Sequence, residues 1–260
     1  MKQHVTVPSE LGYEYQDHFL SSADGTRLHA WQIKPKGPAI GTILFLHGNA
    51  ENISTHFKAV LWLVDKGYRV FALDYRGYGL SQGKPDLPEV YDDINAATIW
   101  IDKNYRASGK PTSHPVYLLG QSLGASLAIK YASVNSNFNE QFDALIVEAA
   151  FARFGSIAKH VASRHWLTWG AQYPAQWLLS DRFDPLDAIA KLEDTPLLLI
   201  HSRDDQIIPY HFGESLYKAA NTPKRFITTQ GAHIRAFAQA DVRAQLLDFL
   251  QQYSHAANPK

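Results

Sequence analysis

The feature that most constrains this chain is a series of short, nearly continuous apolar runs. They fall at Thr42–Leu46, Arg69–Leu73, Val116–Leu119, Ala144–Val147 and Leu197–Ile200, with a weaker one at Arg225–Thr229. Strands that read this way are covered on both faces, as in a parallel sheet sandwiched between helices. Helical patterns lie between them, near Ser54–Lys66, Pro88–Asn104, Ser122–Val134, Pro209–Ala219 and Arg235–Tyr253. Strand–helix alternation predicts an α/β fold with a doubly wound, mostly parallel sheet. Upstream, Tyr15–Leu20 and Arg27–Lys34 flank the turn residues Ala23-Asp24-Gly25 and predict an antiparallel N-terminal hairpin. One interval breaks the rhythm: no strand pattern occurs between Phe151 and Pro196, which hold Phe154, Trp166, Leu167, Trp169, Tyr173 and Trp177. It is too apolar for a solvated linker. The expectation is a single domain over residues 1–260, with residues 152–195 inserted as a small helical cap over the carboxyl edge of the sheet. Its aromatics fit either the packing of an inserted helix pair or the wall of a binding site, and both can hold at once. Phe154, Trp166, Trp169 and Trp177 are the candidate substrate contacts.

Composition narrows the function by exclusion. Lys+Arg and Asp+Glu are both 25, so the formal net charge is zero. No like-charge block stands out, which leaves a nucleic-acid or anionic-membrane partner without electrostatic support. The chain has no cysteine, so disulfides, thiolate chemistry and Cys-based zinc sites are excluded. It has no P-loop and no His-Glu-x-x-His pair. Gly77, Gly79 and Gly83 are spaced G-x-G-x-x-x-G, which is not the dinucleotide fingerprint. Neither a metal nor a cofactor is expected. The first eight residues lack the apolar stretch of a signal peptide, and no run is long enough to span a bilayer. The expectation is a cytoplasmic protein with no integral membrane segment, acting on a small uncharged or amphipathic molecule; the sequence leaves its oligomeric state open.

The strongest local signal is Gly120-Gln121-Ser122-Leu123-Gly124, which follows one apolar run and opens a helical pattern. In that strand–turn–helix setting, G-x-S-x-G is a nucleophile elbow. The sharp turn exposes the serine hydroxyl, and glycines keep side chains out of the neighbouring strand and helix. A serine hydroxyl is a poor nucleophile at neutral pH and needs a base, which in turn needs an orienting acid. The chain order for such a fold is Ser, then Asp or Glu, then His. Downstream of Ser122, the acids at a strand end are Asp204 and Asp205, and spacing alone does not choose between them. The base is His233, in Gly231-Ala232-His233 after the last apolar run. Of the other histidines, His18, His29, His114 and His255 are expected at or near the surface. His47 precedes Ser122, and His160 and His165 fall in the cap. An oxyanion hole needs two backbone donors. The N–H of Leu123 is one, and the loop His47-Gly48-Asn49-Ala50 supplies the other, for which Asn49 is the candidate.

Four motifs occur in order: Leu46-His47-Gly48-Asn49-Ala50; Asp74-Tyr75-Arg76-Gly77-Tyr78-Gly79-Leu80-Ser81; the elbow; and the segment His201 to Pro209. Together they resemble the α/β-hydrolase family over nearly the whole chain. The resemblance is to a subgroup of small esterase-like and acyl-protein thioesterase-like hydrolases with a short cap. It implies Asp205 as the acid, aligned on His201 and Pro209. Ser202 stands where that motif usually has Gly, and Ala232 where a second Gly is common. Asp74 and Arg76 are expected to fix loop geometry, and Glu148 to shape the floor of the site. Dehalogenases and epoxide hydrolases of this fold use an Asp nucleophile, which Ser122 replaces. The expected reaction is hydrolysis of a carboxylic ester or thioester with an apolar part. An amidase or aminopeptidase is the nearest alternative, and a non-catalytic ligand-binding protein of the same fold the more distant one.

Overall fold

The computed structural model describes residues 4–106, 114–157, 160 and 181–254. Eight strands form one sheet: β1 (Tyr15–Ser21), β2 (Arg27–Ile33), β3 (Gly41–Leu46), β4 (Tyr68–Asp74), β5 (Val116–Gln121), β6 (Ala144–Glu148), β7 (Leu197–Ser202) and β8 (Lys224–Thr229). Their order is β1-β2-β4-β3-β5-β6-β7-β8. β2 pairs antiparallel with both β1 and β4, and every pairing from β4 to β8 is parallel. The antiparallel hairpin and the doubly wound parallel sheet are therefore both present.

The apolar runs are continuous because each strand feeds two cores. Along β3, Leu44 and Leu46 join the cluster with Leu118, Val147 and Leu199 under the helices Val90–Tyr105 and Leu123–Val134. Ile43 and Phe45 face the other way, with Leu119, Ile146 and Ile200, against Phe57, Leu63 and the helix Ala240–Gln252. Alternate residues thus serve opposite layers, as strand geometry requires.

Two local expectations are corrected. The helix expected at Ser54–Lys66 is instead a helical turn Ile53–His56, a 3-10 turn Phe57–Ala59 and a helix Leu61–Asp65. Val60, Leu61, Trp62, Leu63 and Val64 are all buried. Five successive residues cover every face of a regular helix, so burying all of them requires the segment to bend into the sheet. His29, expected at the surface, is fully buried. The β2–β4 register sets it opposite Asp74, and its Nε2 lies 2.7 Å from Asp17 Oδ1. Those carboxylates come from other strands, so their proximity is not visible along the chain. His18 and His114 are half-buried, and His255 lies outside the described residues.

Of residues 152–195, the described parts are 152–157, 160 and 181–195, which include a helical turn at 154–157, a 3-10 turn Asp181–Phe183 and a helix Pro185–Ile189. Trp166, Leu167, Trp169, Tyr173, Trp177 and His165 lie outside the described residues. Among the described residues, no helix is long and apolar enough to cross a membrane.

Candidate active site

Ser122 directly follows β5 and caps the helix Leu123–Val134 with φ 54° and ψ −115°. A non-glycine residue at positive φ costs about 1–3 kcal/mol, and such strain is found where the surroundings over-determine it. Here the surroundings are explicit. The Ser122 N–H donates to the Glu148 carbonyl at 2.9 Å, and its carbonyl accepts from Ala125 and Ser126 at 3.1 and 3.2 Å. A Cβ on Gly120 would lie 2.4 Å from the Gly124 carbonyl oxygen, and one on Gly124 would lie 2.2 Å from the Leu46 carbonyl oxygen. Helix and strand approach too closely for any side chain at either position. Gly124→Ala is expected to destabilise the fold by at least about 3 kcal/mol, read as a lower urea midpoint; an unchanged midpoint would mean the elbow is looser than this packing indicates.

The structure brings Ser122, His233 and Asp205 together from three strand ends. His233 Nε2 is 2.9 Å from Ser122 Oγ, and its Nδ1 is 2.7 Å from Asp205 Oδ2. Asp205 Oδ1 accepts N–H bonds from Ile207 and Ile208, both at 2.9 Å. Burial would raise the Asp205 carboxyl, but the hydrogen bond and charge of His233, with those two amides, more than offset it and hold it below the usual carboxylate range. Asp204 faces elsewhere: its Oδ2 accepts from the Gly231 N–H at 2.9 Å. Ser202 Oγ donates to the Gly231 carbonyl at 2.5 Å and accepts from the Asp204 N–H at 3.1 Å, so the hydroxyl ties together the two loops that carry Asp205 and His233. His201 Nε2 is 2.8 Å from the Ile208 carbonyl and braces the turn behind Asp205.

Leu123 is the first residue of its helix, so its N–H has no intrahelical acceptor. Asn49 is half-buried in the loop after β3. Gly48 passes over Ser122: a Cβ built on it would lie 3.5 Å from Ser122 Cβ and 3.1 Å from His56 Cε1. The Asp74–Ser81 motif clamps this loop. Tyr75 donates its hydroxyl to the His47 carbonyl at 2.6 Å, Tyr78 donates to Asn49 Oδ1 at 2.7 Å, and Asp74 Oδ1 accepts from the Ile53 N–H at 2.9 Å. Arg76 is bound to Asp93 and Asp24 and fixes the far side of the motif. The sequence reading gave no role to Tyr75, Tyr78 or His56; only the adjacency of β3 and β4 in the sheet signals that the two motifs meet. Burial, then the nearby His47, lowers the His56 imidazole to about 4.

Phe154 is almost wholly buried, edge-on to Phe151 at a centroid distance of 4.7 Å, and its N–H donates to Asp184 Oδ1. Trp166, Trp169 and Trp177 are outside the described residues. Among the described residues, one donor group has metal-like proximity: His4, His29 and Asp74, with ligand atoms within 4.8 Å of one another. In the structure these groups face one another, with His29 Nδ1 3.5 Å from Asp74 Oδ2.

A sheet of this strand order and direction, with a strained serine elbow after its fifth strand, is that of an α/β hydrolase. The chain belongs to the family described as serine aminopeptidase, S33, whose model matches residues 37–188. It is 35% identical over 249 residues to the uncharacterized protein YfhR of Escherichia coli K12, covering 93% of this chain and 81% of that one. It is 29% identical over 227 residues to the lysophosphatidylserine lipase ABHD12 of Xenopus tropicalis, covering 83% of this chain and 53% of that protein. Among solved structures, the Pyrococcus furiosus esterase Pf2001 superposes with a TM-score of 0.82 at 20% identity, over 97% of this chain and 96% of the esterase.

Proposed function

We propose that this protein is a serine hydrolase that cleaves carboxylic ester or thioester bonds, with Ser122 as nucleophile, His233 as general base and acid, and Asp205 as the group that orients His233. The observation that carries the reading is the unbroken line from Ser122 Oγ through His233 to Asp205, at 2.9 and 2.7 Å. Distances in that range are those of a nucleophile, its base and the base's partner. Asp205 Oδ2 accepts a hydrogen bond from the Nδ1–H, which leaves Nε2 free to take the serine proton. The Ser122 oxygen then bonds to the substrate carbonyl carbon, whose oxygen becomes an anion held by the N–H groups of Leu123 and Asn49. His233 passes its proton to the leaving alcohol or thiol as that bond breaks. Water, deprotonated by His233, attacks the acyl-serine and restores the hydroxyl. The proton that leaves with the alcohol or thiol is replaced from the water, so all three residues end as they began and the cycle runs without a cofactor.

The acyl or alcohol portion is taken to be apolar, with residues 152–195 as the cap that receives it and Trp166, Trp169, Trp177 and Phe154 as the residues nearest to it. The names of an esterase of this fold and a lipase relative support ester chemistry. The family description names an aminopeptidase, so an amide substrate is the second reading. The test is turnover of p-nitrophenyl esters from acetyl to palmitoyl, beside the matching anilides. Ester hydrolysis with an optimum at one chain length is expected; turnover of the anilides alone would transfer the assignment to amides, and turnover of neither, with thioesters also inert, would remove it.

A further inference from the structure

The candidate site contains a second carboxylate that the proposed reaction does not use. Glu148 ends β6, is 2% exposed and lies opposite Gln121 in the β5–β6 register. Three of its oxygens are engaged in the site. Its carbonyl accepts the Ser122 N–H. Its Oε2 accepts from Gln121 Nε2 at 2.5 Å, and its Oε1 accepts from the Ala236 N–H at 2.9 Å. Gln121 immediately precedes the nucleophile. Ala236 lies three residues after the base, across Ile234, which is itself at φ 50°. One side chain therefore joins the nucleophile strand to the base loop.

We infer that Glu148 is a positioning residue for the reaction proposed above: it fixes the separation of Ser122 and His233 and places a second negative charge beside the imidazole. The inference rests on that reading for its kinetic consequence, but not for its electrostatic one. Both carboxylate oxygens receive an N–H, which is the pattern of an ionised group. Burial pushes the carboxyl up; the hydrogen bonds from Gln121 and Ala236 and the charge of His233 oppose this, while the negative charge of Asp205 adds to it. The groups bearing on His233 are Asp205 on the β7 loop, Glu148 on β6, His201 on β7 and His56 after β3. Burial lowers both of those histidines, so among these groups it is the two carboxylates whose negative charge favours a protonated His233. As the serine proton arrives on His233, Glu148 and Asp205 are both repaid by attraction that was absent before the step.

Glu148→Gln separates the two roles. It keeps an oxygen for the Ala236 N–H. Gln121 Oε1 has no hydrogen-bond partner among the described residues, so the Gln121 amide can turn to accept from the new amide. The experiment combines the pH profile of p-nitrophenyl ester hydrolysis with the NMR titration of the His233 imidazole, the latter in both the native and the Ser122→Ala backgrounds. A missing negative charge makes the imidazolium less stable, so the acid limb of kcat/KM and the NMR midpoint are both expected to move down by about 0.5–1 pH unit. The melting temperature should stay within a few degrees, KM within about twofold, and kcat should fall about tenfold. Glu148→Asp, which keeps the charge but shortens its reach, is expected to lower kcat with the limb in place. A Glu148→Gln titration that superimposes on the native one overturns the proposal and leaves a neutral strut. If Glu148→Gln does not fold, a limb that moves in Glu148→Asp overturns it instead. The NMR midpoint needs no turnover, so a protein inert toward esters, thioesters and anilides alike would sink the hydrolase reading while still testing this one.

Discussion

Replacing Ser122 with alanine is expected to lower kcat by about 10⁴–10⁶-fold and to abolish covalent labelling by a phosphonylating probe. The change removes only the oxygen 2.9 Å from His233 Nε2. Alanine meets the same backbone strain at φ 54° as serine does, and the hydrogen bonds that hold the elbow are all to the Ser122 main chain. The melting temperature should therefore be preserved while activity disappears. Labelling and turnover are read on the same preparation. Activity above a tenth of the native level in the alanine variant would place the nucleophile elsewhere.

The second large effect separates two neighbours. Asp205→Asn is expected to cost about 10⁴ in kcat, the loss seen when an orienting carboxylate becomes an amide and the imidazole settles in the wrong tautomer. Its Oδ2 sits 2.7 Å from His233 Nδ1, where an amide nitrogen would present a donor to a donor. Asp204→Asn should change kcat by less than about fivefold, because its carboxylate serves the Gly231 N–H and leaves the imidazole alone. Both variants are compared in kcat at saturating ester. The reverse ranking would show that the loop between His201 and Pro209 supplies the other carboxylate.

The strands were legible because burial on both faces writes an uninterrupted apolar run. β3 and β5 can be located from their residues alone, with boundaries shifting by no more than two positions. The segment after β3 was not, because its apolar run at residues 60–64 has the same composition whether it forms one helix or bends into several turns. In the site, glycine spacing pointed to the elbow, and the collisions a Cβ would meet at Gly120 and Gly124 explain why that spacing carries information. The choice between Asp204 and Asp205 was not in the spacing; it depends on which carboxylate faces a loop 28 positions further along. Tyr78 reaching Asn49, and Glu148 reaching Ala236 across 88 positions, were invisible for the same reason. Such contacts follow from strand order, and strand order is a property of the folded sheet.

The placement of Asp205 and His233 beyond the last two strands has a consequence for how the protein is made. During synthesis, β5 and its serine leave the ribosome more than a hundred residues ahead of His233. The helix that follows His233 also supports the centre of the sheet, where Tyr117 donates its hydroxyl to the Leu250 carbonyl at 2.6 Å. A nascent chain that ends before β8 has the elbow sequence but lacks the imidazole that sits 2.9 Å from the Ser122 hydroxyl, and one flank of its central strand is bare. On the proposed mechanism the competent hydroxyl is thus a product of completion, and a prematurely terminated chain is expected to be chemically silent as well as incompletely packed.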